Sequence, residues 1–266
     1  EMISSFLSFK VSDVRFNKLL AFGDYSKKLN SGDNEIEFEL QVPDHKLWSP
    51  DDPFLYRLTT NVQSKKLMSE SSVRFGFRDF RFTDGYFRLN GKRIFLKGSN
   101  FSTHYPVSFT IPLSEDMFRR DIINMKSLGF NFVRIPFGCP NPRILDICDE
   151  LGILVQQEHY GCWQMGQYGK YDFPLPDNID EILQKRFENS IQDVIRRDRN
   201  HACLVMWGVL NEIFDGPFFR KVVDLLPSLR KLDPARLFVL NSGRFDGVKE
   251  IGSMSNPGSS EWDVGF

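Results

Sequence analysis

The sequence has 266 residues, of which 41% are hydrophobic and 26% are charged, the balance of an ordinary globular chain with one large or two small cores. Its formal net charge is −1 and it has no polybasic run, which argues against a nucleic-acid or membrane partner. No apolar run approaches the roughly 20 residues that cross a bilayer, and the four cysteines form no CxxC pair and are predicted to be free thiols.

The amino-terminal part has the short apolar periods of β-strands. We predict strands at 6–14, 55–62 and 72–77, and a further strand at 34–42, where apolar and polar residues alternate. Turn residues such as Asn, Gly, Pro and Asp separate these segments. We assign residues 1–80 to part of an antiparallel β-sandwich, because the strands are too few for a whole one.

After Asn90-Gly91, a hairpin signal, strands and helices alternate. Strands are predicted at 93–97, 130–136, 153–157, 202–210 and 236–241. Helices are predicted at 115–128 with Ser114 as cap, at 142–151 after Asn141, at 181–199, and at 217–231 with a bend at Pro227.

This alternation predicts an α/β fold with a parallel sheet, either doubly wound or a (β/α)8 TIM barrel. No glycine-rich nucleotide loop follows a strand, so we prefer the barrel. Residues 81–266 are then the amino-terminal part of a barrel truncated after about its fifth strand. We therefore expect the chain to be a fragment, and expect this fragment on its own to be inactive.

The apolar run 202–210 ends at Asn211-Glu212. Such a run is typical of a strand buried on both faces of a parallel sheet, and the carboxyl ends of these strands are where such folds place their chemistry. The plainer alternative is that Asn211 and Glu212 only cap the next helix.

Seven segments, taken in order, resemble glycoside hydrolase family 2, the β-galactosidases, β-glucuronidases and β-mannosidases. They are LWSPDDPFLY (47–56), GFRDF (76–80), LNGKRIFLKGSN (89–100), MKSLGFNFVR (125–134), CDELGILV (148–155), RDRNH (197–201) and WGVLNE (207–212). The resemblance implies an immunoglobulin-like β-sandwich followed by a catalytic TIM barrel. It also implies an exo-β-glycosidase that acts on terminal β-linked sugars with retention of configuration.

By this resemblance Glu212 matches the general acid/base, and Asn211 matches the residue that binds the sugar 2-hydroxyl. The chemistry agrees, because glycosidic cleavage needs one carboxylic acid for the leaving oxygen and a second carboxylate about 5–5.5 Å away in retaining enzymes. The family's nucleophile is a glutamate at the end of the seventh strand. The only glutamates after Glu212 in the sequence are Glu250 and Glu261. Neither matches the family's nucleophile, so we expect the nucleophile beyond Phe266.

Other substrate-binding candidates follow from the same resemblance. Arg134 matches an active-site arginine, although a salt bridge at the strand end is the alternative. Glu158 matches an acidic residue that binds sugar or orients other side chains. Trp163, with Tyr160 in the same long loop, is a candidate to stack on a sugar, and Trp207 to form the barrel wall beneath it.

His104, after the first barrel strand, is a further substrate-binding candidate. It lies in the run NFSTHY (100–105), which departs from the family's usual Asn-Arg-His-Glu. The sequence also lacks the histidine that follows Arg134 in the galactosidase branch, and KGSN (97–100) and VQQE (155–158) are similar to the mannosidase branch.

The expected partner is a carbohydrate, and neither an organic cofactor nor a metal is expected. An endo-acting cellulase or mannanase is a rival that the upstream sandwich disfavours, and a catalytically incomplete carbohydrate-binding protein on the same fold is a second alternative. The sequence leaves open the sugar, the linkage, the compartment and whether the full-length protein forms a homo-oligomer.

Overall fold

The computed structural model describes residues 2–65, 67–102, 105, 114–136, 138–162, 179–213 and 216–242. The chain forms two compact units. The first comprises residues 1–78 with 200–202, and the second residues 79–199 with 203–266. Within the described ranges, the helices lack the combination of length and hydrophobicity that a membrane-spanning segment needs. Cys139, Cys148 and Cys203 are free, as predicted.

The first unit contains an antiparallel sheet with the order β2-β1-β3-β4. Its strands are β1 (Ile3–Asp13), β2 (Leu19–Leu29), β3 (Tyr56–Ser64) and β4 (Met68–Phe75). Phe9 of β1 lies opposite Gly23 of β2 and Thr60 of β3. The core contains Val11, Phe54 and Tyr56, against which Leu40, Val42 and Phe75 pack.

The predicted strand at 34–42 is wrong, because no strand is assigned to these described residues. Their side chains nevertheless alternate as predicted, with Ile36, Phe38, Leu40 and Val42 half-buried between exposed neighbours. The ring of Phe38 stacks on Phe9 with centroids 3.5 Å apart. The apolar pattern therefore predicts which side of the segment faces the core, but it does not determine whether the backbone pairs with another strand.

The second unit begins with a small antiparallel sheet of β5 (Phe80–Thr83), β6 (Tyr86–Leu89) and β7 (Lys92–Arg93). Its two turns are Asp84-Gly85, with φ of 55° and 77°, and Asn90-Gly91, with φ of 53° and 77°. Two consecutive positive φ angles are what a two-residue hairpin needs, and Asn and Asp followed by Gly tolerate them best.

Five parallel strands follow, β8 (Gly98–Asn100), β9 (Phe132–Ile135), β10 (Leu154–Cys162), β11 (Leu204–Asn211) and β12 (Leu237–Asn241). They lie side by side in chain order, β8 to β12. A doubly wound sheet reverses its strand order part-way, whereas a barrel adds each strand next to the preceding one. The order confirms the prediction of a TIM-barrel arrangement.

The helices between these strands are α1 (Glu115–Ser127), α2 (Pro142–Leu151), α3 (Ile179–Asp198) and α4 (Pro217–Leu232). Each begins and ends within a few residues of its predicted limits. At α2 the side chain of Asn141 accepts a hydrogen bond from the backbone N–H of Arg143, 3.0 Å away, as expected of a cap. Ser114 occupies the capping position of α1 without a side-chain capping bond.

The first barrel strand was predicted at 93–97, and this is wrong. Arg93 closes the hairpin with Arg88, and the first parallel strand is Gly98–Asn100. Between them the side chain of Asn131 accepts from the N–H of Lys97 at 2.8 Å and donates to the carbonyl of Phe95 at 3.0 Å. A side-chain amide thus takes the place of a neighbouring strand in this segment.

Candidate active site

Polar side chains from all five parallel strands meet in one cluster, four of them at or next to the carboxyl end of their strand. Asn100 ends β8, Arg134 lies near the end of β9, Glu158 lies on β10, Asn211 ends β11 and Ser242 directly follows β12. Because parallel strands in register bring these ends to one edge, residues 142 positions apart in the sequence become neighbours.

The guanidinium of Arg134 contacts the other four side chains. Its Nε donates to Glu158 Oε1 at 2.7 Å, and its Nη2 also donates to that oxygen. Nη2 further donates to Asn211 Oδ1 at 2.9 Å and to Ser242 Oγ at 3.1 Å, and Nη1 donates to Asn100 Oδ1 at 3.3 Å. Only the forked, multiple-donor geometry of arginine can make this set of contacts.

Glu158 is the buried anion of this cluster, with 1% of its side chain exposed against 23% for Arg134. A buried carboxylate is costly unless a charge and hydrogen bonds compensate it, and Arg134 provides both. The neighbouring strand leaves room for it at Gly208, since a Cβ there would collide with the side chain of Glu158 and lie 3.2 Å from Gln156 Nε2.

The amide of Asn211 has a defined orientation. Its Oδ1 accepts from Arg134 Nη2 at 2.9 Å and from Ser242 Oγ at 2.5 Å. Both lone pairs of the oxygen are therefore used, and Nδ2 is left as the donor. In the described part of the chain no acceptor contacts this buried nitrogen, so it remains available for a hydroxyl oxygen of a ligand.

Glu212 follows directly and has φ of 58°, a left-handed conformation that costs a residue with a long side chain about 1–2 kcal/mol. Glu212 is half-buried, whereas its neighbours Asn211 and Ile213 are 3% and 1% exposed. The turn thus places one carboxyl group at the partly open edge of an otherwise buried strand.

The family match covers both units. Residues 80–263 match the family described as "Glycosyl hydrolases family 2, TIM barrel domain", and residues 7–78 match "Glycosyl hydrolases family 2". The chain belongs to glycosyl hydrolase family 2.

Relatives of this family 2 chain include a protein named putative beta-glucuronidase from Formosa agariphila, 33% identical over 233 residues. The alignment covers 82% of this chain and 20% of that protein. A beta-galactosidase from Lactobacillus delbrueckii subsp. bulgaricus is 28% identical over 229 residues, covering 82% of this chain and 22% of the relative. The chain therefore spans about a fifth of the length of these curated relatives.

A solved structure of a glycosyl hydrolase family 2 member from Bacteroides cellulosilyticus superposes with a TM-score of 0.80 and 25% identity. The superposition covers 94% of this chain and 32% of that one. The likeness extends to the family fold of a sandwich followed by a TIM barrel.

Two aromatic candidates of this family 2 chain lie outside the Arg134 cluster. Trp207 is 3% exposed, and its Nε1 donates to Asp233 Oδ2 at 2.8 Å, near the amino end of β12. The prediction that Tyr160 lies in a loop is wrong, because Tyr160 lies on β10, which extends to Cys162. Tyr160 is 39% exposed, and its ring packs against His159 with centroids 4.1 Å apart. A role for Trp207 in sugar binding stays a prediction.

Four further residues named from the sequence lie outside the described residues, namely His104, Trp163, Glu250 and Glu261. Sequence reasoning missed Asn100, Asn241 and Ser242. The signal that could have found them is position, because each ends or directly follows a barrel strand.

Proposed function

We propose that the whole protein is a retaining exo-β-glycosidase that hydrolyses terminal β-linked sugars, of the β-galactoside, β-mannoside or β-glucuronide class. Its partner in this proposal is a carbohydrate substrate, and Glu212 is the general acid/base. The observation that carries the proposal is the placement of Asn211 and Glu212 at the end of β11, with the Asn211 amide oriented by Arg134 and Ser242. The printed names of the relatives support the same class.

In the first step Glu212 donates its proton to the glycosidic oxygen as the bond to the anomeric carbon breaks, and a carboxylate attacks that carbon from the opposite face. In the second step Glu212 removes a proton from a water molecule, which releases the sugar with its original configuration. We propose that the attacking carboxylate is a glutamate at the end of the seventh barrel strand, later than the five strands described.

The polar cluster has a supporting part in this mechanism. Asn211 Nδ2 donates a hydrogen bond to the sugar 2-hydroxyl, a contact that strengthens as positive charge develops on the ring. Arg134 and Ser242 hold that amide in place, and Glu158 holds Arg134. Arg134, which is more exposed than Glu158, also faces the sugar. His104, Trp163 and Trp207 complete the proposed substrate-binding set.

The test is hydrolysis of 4-nitrophenyl β-galactoside, β-mannoside, β-glucoside and β-glucuronide by the whole protein. We expect turnover of at least one of them, with the β-anomer as the first product in proton NMR spectra recorded within minutes. An α-anomer as the first product would contradict retention. Binding of a free sugar without any turnover would favour the carbohydrate-binding alternative.

A further inference from the structure

The end of β12 binds the chain directly after Glu212. Asn241 Nδ2 donates to the carbonyl oxygen of Ile213 at 2.9 Å, and the N–H of Ile213 donates to Asn241 Oδ1 at 3.3 Å. The side-chain amide of Asn241 therefore pairs with both backbone polar groups of one residue, as a neighbouring strand would. Asn241 is 0% exposed, so water does not compete for these bonds.

The same strand end also binds the chain directly before Glu212. The N–H of Ser242 donates to the carbonyl oxygen of Leu210 at 3.2 Å, and Ser242 Oγ donates to Asn211 Oδ1 at 2.5 Å. Asn241 and Ser242 thus fix the residues on both sides of Glu212, which itself lies between two anchored points.

Glu212 is a residue that needs such anchors. In the described part of the chain five residues other than glycine have positive φ, and the other four are Asn17, Asp44, Asp84 and Asn90. Asn and Asp tolerate the left-handed region because their short side chains bond to the local backbone. Glutamate lacks this compensation, so an external partner must hold its turn.

We propose that Asn241 is a positioning residue that keeps Glu212 in its left-handed turn and so directs the Glu212 carboxyl group toward the glycosidic oxygen. This inference rests on the proposed function, in which Glu212 protonates that oxygen as the alcohol leaves. Without the two bonds to Ile213 the turn relaxes toward negative φ, and the carboxyl group moves away from the leaving oxygen. Displacements of about 1 Å at this point cost up to about 100-fold in rate.

The test compares leaving groups in the whole protein carrying Asn241→Ala. For substrates with a poor, alkyl-type leaving group we expect kcat/KM to fall by about 10–100-fold, since these need a well-placed acid. For 2,4-dinitrophenyl glycosides, which leave without protonation, we expect a loss below about threefold.

The matched control is Asn131→Ala. The side chain of Asn131 makes the same kind of paired contact with backbone groups, at Lys97 and Phe95, at the amino end of β9 and away from Glu212. This variant should lower the melting temperature and affect both substrate types equally. Asn241→Asp, which keeps the volume but loses the Nδ2 donor, serves as a second variant if Asn241→Ala does not fold, with the same selective loss expected.

The outcomes separate the inference from the function it rests on. The positioning role is supported if every Asn241 variant that folds loses kcat/KM selectively on substrates with poor leaving groups and Asn131→Ala does not. Equal loss of kcat/KM on both substrate types in the Asn241 variants, or no loss, overturns the inference. The proposed function still stands in that case, as long as the wild-type protein turns over substrate. A wild-type protein that hydrolyses none of the substrates overturns both.

Discussion

At the scale of single residues, Arg134 is the most connected side chain of the site. It binds an anion, two amide oxygens and a hydroxyl on or directly after four other strands. Lysine offers a single point charge at that position and could not orient all four groups. Together with Ser242, Arg134 therefore determines which way the Asn211 amide faces, and in the proposed function this sets which hydrogen bond the sugar receives.

The proposed contact of Asn211 with the 2-hydroxyl predicts the effect of Asn211→Ala. The contact strengthens in the transition state, so we expect kcat to fall by about 10–100-fold while KM changes little. The measurement is steady-state kinetics on the preferred aryl glycoside. Asn124→Ala, a change at an exposed position of α1, is the control and should leave both constants unchanged. A rise in KM with kcat intact would mean that Asn211 only holds the strand end.

At the scale of elements, β10 carries both the buried Glu158 and a buried histidine next to it. The ring of His159 is 4% exposed, its Nε2 lies 2.9 Å from Ser190 Oγ, and it packs edge-on against Phe187. Burial lowers the pKa of His159 from 6.5 to about 3. The folded protein therefore keeps this ring neutral, whereas the unfolded chain protonates it below about pH 6.5.

This difference predicts a loss of stability in acid. Because the folded-state pKa is the lower one, the contribution is complete above pH 6.5 and is lost as the pH falls toward 3, by at most about 1.4 kcal/mol per pH unit. Relative to His159→Gln, the wild-type protein should lose unfolding free energy between pH 6.5 and 4.5 in urea titrations followed by tryptophan fluorescence. Parallel curves for wild type and His159→Gln would contradict the account.

How far the sequence predicts this structure varies between elements. Helix α2 and strand β11 were predicted closely, because a capping Asn141 and an unbroken apolar run are local signals. Helix α1 was predicted to extend to Leu128 but ends at Ser127, and Leu128 is 78% exposed. The hydrogen bonds of Asn131 and the lack of strand pairing at 34–42 depend on distant residues, which no local pattern records.

The site residues also differ in how far the sequence predicted them. Glu212, Asn211, Arg134 and Glu158 were named from strand ends and from the family resemblance, and the last three meet in one cluster. Ser242 was missed because a serine in a loop carries no signal by itself. Its contact with Asn211 arises only when β12 pairs with β11.

At the scale of the whole molecule, the barrel order of the strands is what creates the site. Each strand carries one polar side chain of the cluster on it or directly after it, and the chain order β8 to β12 brings these side chains together. Family 2 membership and this geometry are independent observations. On these grounds we propose that the activity depends on Glu212.

The most direct test of that proposal is Glu212→Gln in the whole protein, which removes the proton donor and keeps the side-chain shape. For substrates with poor leaving groups we predict a fall in kcat/KM of about 10²–10⁴-fold, and for 2,4-dinitrophenyl glycosides a much smaller one. Glu181→Gln, at an exposed position of α3, should behave as the wild type on both. Equal losses on the two substrate types, or no loss on either, would contradict the assignment of Glu212 as the general acid/base.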